Sequence, residues 1–316
     1  MGISSHSGYL GIDIGGTKVA LRAVGDSGQG PADSVEETFR WPPDGDPAAD
    51  LTLLADRLRS LLRRLPGGAG GLRGVGVALP ASCDADGTVL TWPGRPGWVG
   101  LGLLPALHRM LPGVPLVHAD DGDLAALAEA RAAARADVVY LGVGTGVGGG
   151  VVHEGRLWPG PGRGSCEIGH LVVDRSGPRF DCGRAGCVQA LASGPATLRR
   201  AAELRGAPVD FTGLTTGLRA AERWAVDAVE ASATALALAL VGVAELAHPR
   251  LAVVGGGFGT GVPGYVARVA TRVRELTRPG VAPVPVAPAA LGGLSSLDGA
   301  VLLARQTFGR RVPAPL

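Results

Sequence analysis

The sequence contains no asparagine and only one lysine, Lys18, among its 30 basic residues. Aromatic residues make up 4% and charged residues 18% of the 316 positions, whereas 46% are hydrophobic. This composition excludes an intrinsically disordered chain, because disorder goes with few apolar and many charged residues. We attribute the missing asparagine first to codon bias in a GC-rich genome, so the absence of a residue type at a site can reflect drift instead of selection.

The small net charge and the small number of cysteines bear on which partners the protein binds and which cell compartment it occupies. The formal net charge is +2 and the arginines are scattered, so the clustered basic face required for nucleic acid is absent. The residues before Tyr9 lack the basic and apolar regions of a signal peptide. The apolar run between Glu230 and Glu245 is shorter than the about 20 residues of a membrane span. We expect a cytoplasmic protein without nucleic-acid or membrane partners, whose four cysteines are thiols or metal ligands.

Predicted strands alternate with predicted helices, and some strands are joined by glycine turns. Residues 9–24 predict a hairpin, and the runs 138–143 and 150–152 predict a second one. The remaining pattern predicts helices at 49–65, 120–136, 195–204, 220–247, 263–276 and 297–308, strands at 75–79, 114–117, 251–254 and 279–289, and irregular segments at 31–47, 84–98 and 160–194. The chain therefore predicts an α/β fold of about two domains with mixed sheets.

Three glycine clusters each follow a predicted strand: Gly11 to Lys18, Gly144 to Gly150 and Gly255 to Gly257. Glycine lets the backbone approach a phosphate, whose oxygens the exposed N–H groups can bind. The GxGxxG match in the second cluster does not predict a dinucleotide fold, because a strand follows it instead of a helix. One such cluster is typical of a tight turn. Three in this order, with Asp13 at the end of a strand, predict a phosphate site.

Asp13 is the candidate magnesium ligand of that site. A carboxylate beside a phosphate-binding turn can hold Mg²⁺ directly or through water. The alternative is a turn carboxylate that accepts hydrogen bonds from local N–H groups.

Taken together, the motifs resemble those of the ROK (repressor, ORF, kinase) sugar kinases of the actin-like ATPase superfamily. The matching segments are Asp13-Ile14-Gly15-Gly16-Thr17-Lys18, Asp120-Asp121-Gly122-Asp123, Gly144-Thr145-Gly146-Val147-Gly148-Gly149, Glu167-Ile168-Gly169-His170, Cys182-Gly183-Arg184-Ala185-Gly186-Cys187 and Gly255-Gly256-Gly257. The resemblance implies a two-lobed actin-like ATPase (ribonuclease H-like) fold with mixed sheets and an interlobe cleft. The lobes would comprise residues 1–117 plus 291–316 and residues 118–290.

ATP and Mg²⁺ are the cofactors that this resemblance implies. Asp13 would lie near the metal, and Lys18 would either touch a phosphate or point to solvent. The resemblance places backbone turns around the nucleotide, namely Gly15, Gly16 and Thr17 and also Thr145 and Gly146 at the phosphates, and Gly256 and Gly257 at the adenosine. Kinases of this family are often dimers, and the sequence itself shows no interface.

The sugar site is also implied by the resemblance. Asp121 falls on the family's catalytic aspartate, the general base for the primary hydroxyl, and its alternative role is simple helix capping. The family's Glu and His at positions 167 and 170 bind sugar hydroxyls, and the His also ligates a structural zinc. The other zinc ligands are three cysteines, of which Cys182 and Cys187 are present.

This sequence departs from the family at the zinc motif, where Phe180 occupies the position of the first cysteine. A closed structural zinc site requires four ligands, and the motif supplies three. Either Asp181 or Cys166 replaces the fourth ligand, or the loop holds itself without zinc by packing Phe180.

Two sugar-binding positions differ as well. Asp120 replaces an Asn that contacts the 3- and 4-hydroxyls, and Gln189 replaces a Glu that contacts the anomeric end. A carboxylate in place of an amide adds a charge and removes donors, and a substrate ammonium would pair that charge. We therefore expect O6 phosphorylation of an amino sugar such as kanosamine (3-amino-3-deoxyglucose). The alternatives are glucose or another neutral hexose, a C7-cyclitol, and an N-acetyl sugar.

Two other functions are compatible with this domain but agree less well with the sequence. ROK repressors carry a DNA-binding segment of about 80 residues before the first glycine hairpin, whereas here that hairpin starts at Tyr9. A sugar sensor without activity would not need Asp13, Asp121 and all three glycine clusters.

Overall fold

The structure, a computed structural model, describes residues 8–25, 34–42 and 45–309. The strands in these residues are β1 (Gly8–Ile14), β2 (Lys18–Gly25), β3 (Ser34–Arg40), β4 (Leu72–Ala78), β5 (Ser82–Cys83), β6 (Val89–Thr91), β7 (Leu116–Ala119), β8 (Val138–Val143), β9 (Val147–His153), β10 (Arg156–Trp158), β11 (Leu251–Gly255) and β12 (Val286–Pro288). The α-helices are α1 (Pro47–Arg63), α2 (Leu103–Met110), α3 (Asp121–Ala132), α4 (Val188–Ala192), α5 (Gly194–Arg205), α6 (Phe211–Arg219), α7 (Arg223–Ala247), α8 (Gly257–Gly261), α9 (Tyr265–Leu276) and α10 (Ser295–Phe308).

Two five-stranded sheets share one strand arrangement. Their orders are β3-β2-β1-β4-β7 and β10-β9-β8-β11-β12. In each sheet the first three strands in chain order form an antiparallel meander, and two later strands extend the sheet in parallel from the first strand. A glycine cluster forms the turn between the first two strands of each sheet. The expected α/β fold with mixed sheets is confirmed.

The chain divides into two compact units, each with its own apolar core. The first unit comprises the described residues up to Leu124, Gly160–Ser165 and the described residues from Ser296 onward. Its core lies between the first sheet and helices α1 and α2. The second unit comprises Ala125–Pro159 and Cys166–Ser295. Its core lies between the second sheet and a group of helices that includes α7 and α9.

The prediction of an irregular segment at 31–47 is wrong at 34–40, because β3 pairs along its whole length with β2. This edge strand has charged side chains at Glu36, Glu37 and Arg40, and only Phe39 is buried. Charged edges protect a sheet from further pairing, but they hide the apolar alternation by which strands are recognised. The irregular segments predicted at 84–98 and 160–194 are wrong at β6 and α4. The structure also has elements that were not predicted, namely α2, α6, α8, β5 and β10, and the extended segment predicted at 279–289 pairs only at β12.

Helix α7 has the length and apolar composition of a membrane span, but 56% of its most apolar window is buried inside the structure. Its buried face includes Ala228, Ser232, Leu236 and Leu240. The helix packs against α5 and α9, as the core helix of a globular unit does. The helix predicted at 220–247 is therefore confirmed, and it is a core helix.

Helix α10 packs directly on β1 and β4, because both strands have glycines where the helix crosses them. A Cβ atom at Gly76 would lie 1.9 Å from the carbonyl oxygen of Ala300, and one at Gly11 would lie 2.7 Å from Cγ2 of Val301. The contact brings the beginning of α10 to the end of β1, where Asp13 lies.

We expect Gly76→Ala to destabilise the protein by about 2 kcal/mol or more, because the added methyl group meets a backbone carbonyl in a packed core. Gly70→Ala is the matched control, since a Cβ atom at Gly70 meets nothing within 4 Å. Denaturant unfolding of both variants measures the difference. Equal free energies of unfolding for the two variants would contradict the close packing of α10 on β4.

Candidate active site

The first glycine turn, between β1 and β2, has its carbonyl groups held by the surrounding protein. Trp41 Nε1 donates to the carbonyl of Gly15 at 2.8 Å, and Arg95 Nε donates to that of Gly16 at 2.9 Å. The backbone N–H of Trp41 donates to the carbonyl of Thr17 at 3.1 Å. In a trans peptide the N–H lies opposite the carbonyl oxygen. The N–H groups of Gly16 and Thr17 therefore point away from these partners, as an anion-binding turn requires.

A buried ion pair holds Arg95 in place. The Arg95 guanidinium contacts the carboxylate of Asp50, and the two residues are 9% and 0% exposed. Trp98 Nε1 donates to the same carboxylate at 3.1 Å, and the guanidinium lies 5.0 Å from the ring centroid of Trp41. Sequence motifs do not reveal these four residues, because they are distant in sequence and meet only after folding.

Asp13 lies near the end of β1, beside this turn. Its Oδ2 accepts a hydrogen bond from the Ser296 hydroxyl at 2.7 Å. Burial raises the pKa of the Asp13 carboxyl, while the Ser296 hydrogen bond and the charge of Lys18 act to lower that pKa. A bound cation would stabilise the charged form in the same way. The carboxylate is therefore suited to Mg²⁺, which prefers oxygen ligands.

Asp120 and Asp121 lie where β7 ends and α3 begins. Asp120 caps the helix, because its Oδ1 accepts from the N–H of Gly122 at 2.9 Å and its carbonyl accepts from the N–H of Leu124 at 3.0 Å. Asp121 is the first residue of the helix. The cap is thus Asp120, so simple capping does not account for Asp121. The positive end of the helix stabilises negative charge at both carboxylates.

The second glycine turn, between β8 and β9, is closed by backbone contacts within the second unit. The N–H of Gly144 donates to the carbonyl of Gly146 at 2.9 Å, and the N–H of Gly194 donates to the carbonyl of Gly144 at 2.9 Å. The third cluster packs on β8, because a Cβ atom at Gly256 would lie 2.4 Å from the carbonyl oxygen of Val143. With a φ of +80°, Gly256 also has a backbone conformation that favours glycine.

Glu167 directly precedes a short 3₁₀ turn, Ile168–His170, and His170 is its last residue, as their spacing predicts. Glu167 Oε2 lies 3.9 Å from His170 Nε2. The other ring nitrogen, Nδ1, is buried and has no hydrogen-bond partner in the described part of the chain. The imidazole therefore presents one nitrogen to Glu167 and leaves the other for a different ligand.

His170, Cys182 and Cys187 bring their ligand atoms within 4.8 Å of one another. The two sulfur atoms are 3.9 Å apart. Zn–S bonds of about 2.3 Å in a tetrahedral site place two sulfurs about 3.8 Å apart. These three residues therefore fit three corners of a zinc site.

Neither of the two alternative fourth ligands joins this cluster in the described residues. The thiol of Cys166 donates to the carbonyl of Trp158 at 3.0 Å. The ring of Phe180 packs near the imidazole of His170, with 6.4 Å between the centroids. Phe180 thus packs beside the cluster where the family has a cysteine.

Gln189 lies in α4, two residues after Cys187. Its Oε1 accepts from the N–H of Val147 at 2.8 Å, at the end of the second glycine turn. Its expected contact with the anomeric end of the sugar stays a prediction.

The predicted site residues fall into one group in each unit. The first unit contains Asp13, Gly15, Gly16, Thr17, Lys18, Asp120 and Asp121, and the second contains Thr145, Gly146, Glu167, His170, Cys182, Cys187, Gln189, Gly256 and Gly257. The structure adds Ser296, Trp41 and Arg95 to the first group.

A family model described as "ROK family" matches residues 9–307. The chain belongs to the ROK family. It is 51% identical over 306 residues to the kanosamine kinase of Amycolatopsis mediterranei (strain S699), and the match covers 96% of this chain and 98% of that one. Its fold matches the ROK hexokinase from Thermus thermophilus with a TM-score of 0.82 and 29% identity, covering 95% of this chain and 98% of that one.

A second solved structure, the ROK family glucokinase from Streptomyces griseus in complex with glucose and AMPPNP, matches with a TM-score of 0.74 and 25% identity. The match covers 95% of this chain and 99% of that one. The ROK chain described here is an ATP-dependent sugar kinase, and the resemblance read from its motifs is confirmed.

Asp13→Asn should stabilise the ROK kinase at pH 7 by about 1 kcal/mol, because the variant buries no charge. Burial raises the folded-state pKa above the ordinary value of 3.8, so the wild type loses stability as the pH rises from about 4. The stability gained by the variant should therefore shrink as the pH is lowered toward 4.

Urea unfolding across this pH range tests the effect of Asp13. Asp56→Asn, at an exposed position on α1, is the control, and we expect it to change the free energy of unfolding by less than about 0.5 kcal/mol. An Asp13→Asn variant less stable than the wild type at pH 7 would contradict the cost of burying this carboxylate.

Proposed function

We propose that this ROK kinase phosphorylates the 6-hydroxyl of kanosamine, 3-amino-3-deoxyglucose. One observation carries the proposal: Asp120 stands where the family has the Asn that contacts the 3- and 4-hydroxyls. The 51% identity to a protein named kanosamine kinase supports the same substrate.

The capping role of Asp120 does not explain why this residue is an acid. An asparagine oxygen would accept the Gly122 N–H in the same way, so this hydrogen bond does not itself require a carboxylate. A partly buried charge is costly unless it is paired. An ammonium at C3 of the sugar would attract the Asp120 carboxylate, whereas the 3-hydroxyl of glucose carries no charge.

Asp121 acts on the sugar as the general base in this proposal. Its carboxylate accepts the proton of the 6-hydroxyl and orients that oxygen toward the γ-phosphorus. Phosphoryl transfer has a loose transition state, so orientation matters more than a strongly basic group. Glu167 and His170 Nε2 bind sugar hydroxyls, as their proximity allows.

The glycine turns bind the nucleotide. The N–H groups of Gly16 and Thr17 bind phosphate oxygens in the first unit, and Thr145 and Gly146 do so in the second. The turn at Gly256 and Gly257 contacts the adenosine. Asp13 holds Mg²⁺, which neutralises charge on the phosphates when it is bound.

We also propose that zinc binds to Nδ1 of His170 and to the thiolates of Cys182 and Cys187, with a water molecule as the fourth ligand. The buried Nδ1, which has no hydrogen-bond partner among the described residues, and the sulfur separation of 3.9 Å support this assignment. The metal would hold the sugar-binding imidazole in place through one nitrogen, as ligated histidines are commonly held.

Zinc analysis of protein purified without added metal tests this site. We expect about one zinc ion per chain in the wild type and a large loss in Cys182→Ser. Cys83→Ser, outside the cluster, should retain the metal. A wild type without zinc would show that the loop holds itself through Phe180.

A turnover panel with ATP tests the substrate. We expect the wild type to use kanosamine with a kcat/KM at least about tenfold above that for glucose, an N-acetyl sugar or a C7-cyclitol. Asp120→Asn should lose about tenfold or more on kanosamine alone, because it removes one charge of a partly buried pair. Asp121→Asn is the inactive control. Equal losses on kanosamine and glucose, or a wild type that prefers glucose tenfold, would reject the pairing of Asp120 with an ammonium.

A further inference from the structure

The amide head of Gln189 contacts the second glycine turn. The N–H of Val147 can only donate, so the oxygen of the Gln189 amide faces it, at 2.8 Å. A Cβ atom at Gly146 would lie 2.7 Å from the same oxygen. The side chain therefore touches the last two residues of the turn.

Val147 is held on its other side by the 3₁₀ turn Ile168–His170. A Cβ atom at Gly169, between Glu167 and His170, would lie 1.9 Å from the carbonyl oxygen of Val147. The N–H of Val147 thus contacts Gln189 and its carbonyl faces Gly169. These two contacts fix the backbone of Val147, and they thereby fix the end of the glycine turn that precedes it.

The backbone of α4 places Gln189 for this contact. Cys187 precedes the helix as its N-cap residue, and the carbonyl of Gln189 accepts from the N–H of Ser193 at 3.2 Å. Gln189 is therefore fixed by the segment that also supplies a proposed zinc ligand, and its oxygen is engaged without any sugar.

We propose that Gln189 is a positioning residue for ATP: it holds the turn that presents Thr145 and Gly146 to the phosphates. The inference rests on the proposed assignment of that turn to the nucleotide. Glycine turns have little conformational preference of their own, so a turn fixed before ATP arrives binds it at a lower entropic cost.

Three variants test the role of Gln189. Gln189→Met has a similar shape and no acceptor of comparable strength, and we expect it to raise the KM for ATP about fivefold or more, the effect of one lost hydrogen bond. The KM for kanosamine should stay within about twofold. Gln189→Glu keeps an acceptor, as the family's Glu does, and should bring the KM for ATP to within about threefold of wild type. Gln306→Met, at an exposed position on α10, is the control.

Two further measurements do not depend on turnover. Hydrogen exchange at the Val147 amide should accelerate in Gln189→Met and be restored in Gln189→Glu, because the exchange rate reports the opening of that hydrogen bond. Calorimetry should show AMPPNP binding weakened by the same factor as the KM for ATP.

Gly146→Ala provides an independent perturbation of the same contact. Its methyl group would displace the Gln189 oxygen, so it should accelerate Val147 exchange as Gln189→Met does. Combining the two changes should add little, because both remove one hydrogen bond.

A rise in the KM for kanosamine that equals or exceeds the rise for ATP in Gln189→Met would overturn the proposal and assign Gln189 to the sugar. Unchanged KM values or unchanged Val147 exchange would also overturn it. A wild type that does not turn over kanosamine would reject the proposed substrate only, because AMPPNP binding and Val147 exchange still decide the role of Gln189.

Discussion

A glycine turn can bind phosphate only if its peptide planes are held from the protein side, because glycine does not fix them itself. The first turn is held by side chains, since Trp41 and Arg95 bind the carbonyls of Gly15 and Gly16. The second is held by backbone contacts and by Gln189. The remaining site residues are useful only once these turns have their orientation.

The need to orient the first glycine turn explains a buried ion pair in the first unit that costs desolvation free energy. Asp50 and Arg95 form a buried ion pair, which rarely stabilises a fold more than apolar packing would. Here the pair fixes the guanidinium whose Nε donates to the glycine turn. Removing Asp50 would leave a buried cation unpaired as well as releasing the turn.

Sequence reasoning predicted the parts of the molecule that have a local signature. The glycine clusters, Asp121 and the helix containing Leu236 follow from short motifs and apolar periodicity. The residues that orient the site do not, since Trp41 and Arg95 meet Gly15 and Gly16 only after folding. Strand β3 was not predicted for another reason. Charged residues protect an edge strand from further pairing, and they also mask the apolar alternation by which strands are identified.

The two nitrogens of His170 have one further chemical consequence. In the proposed zinc site Nδ1 is bound to the metal, so the neutral ring must carry its proton on Nε2. With the metal bound, the ring could not exchange tautomers, and the nitrogen near Glu167 would always be a donor. A sugar oxygen bound there would meet a group of one fixed polarity.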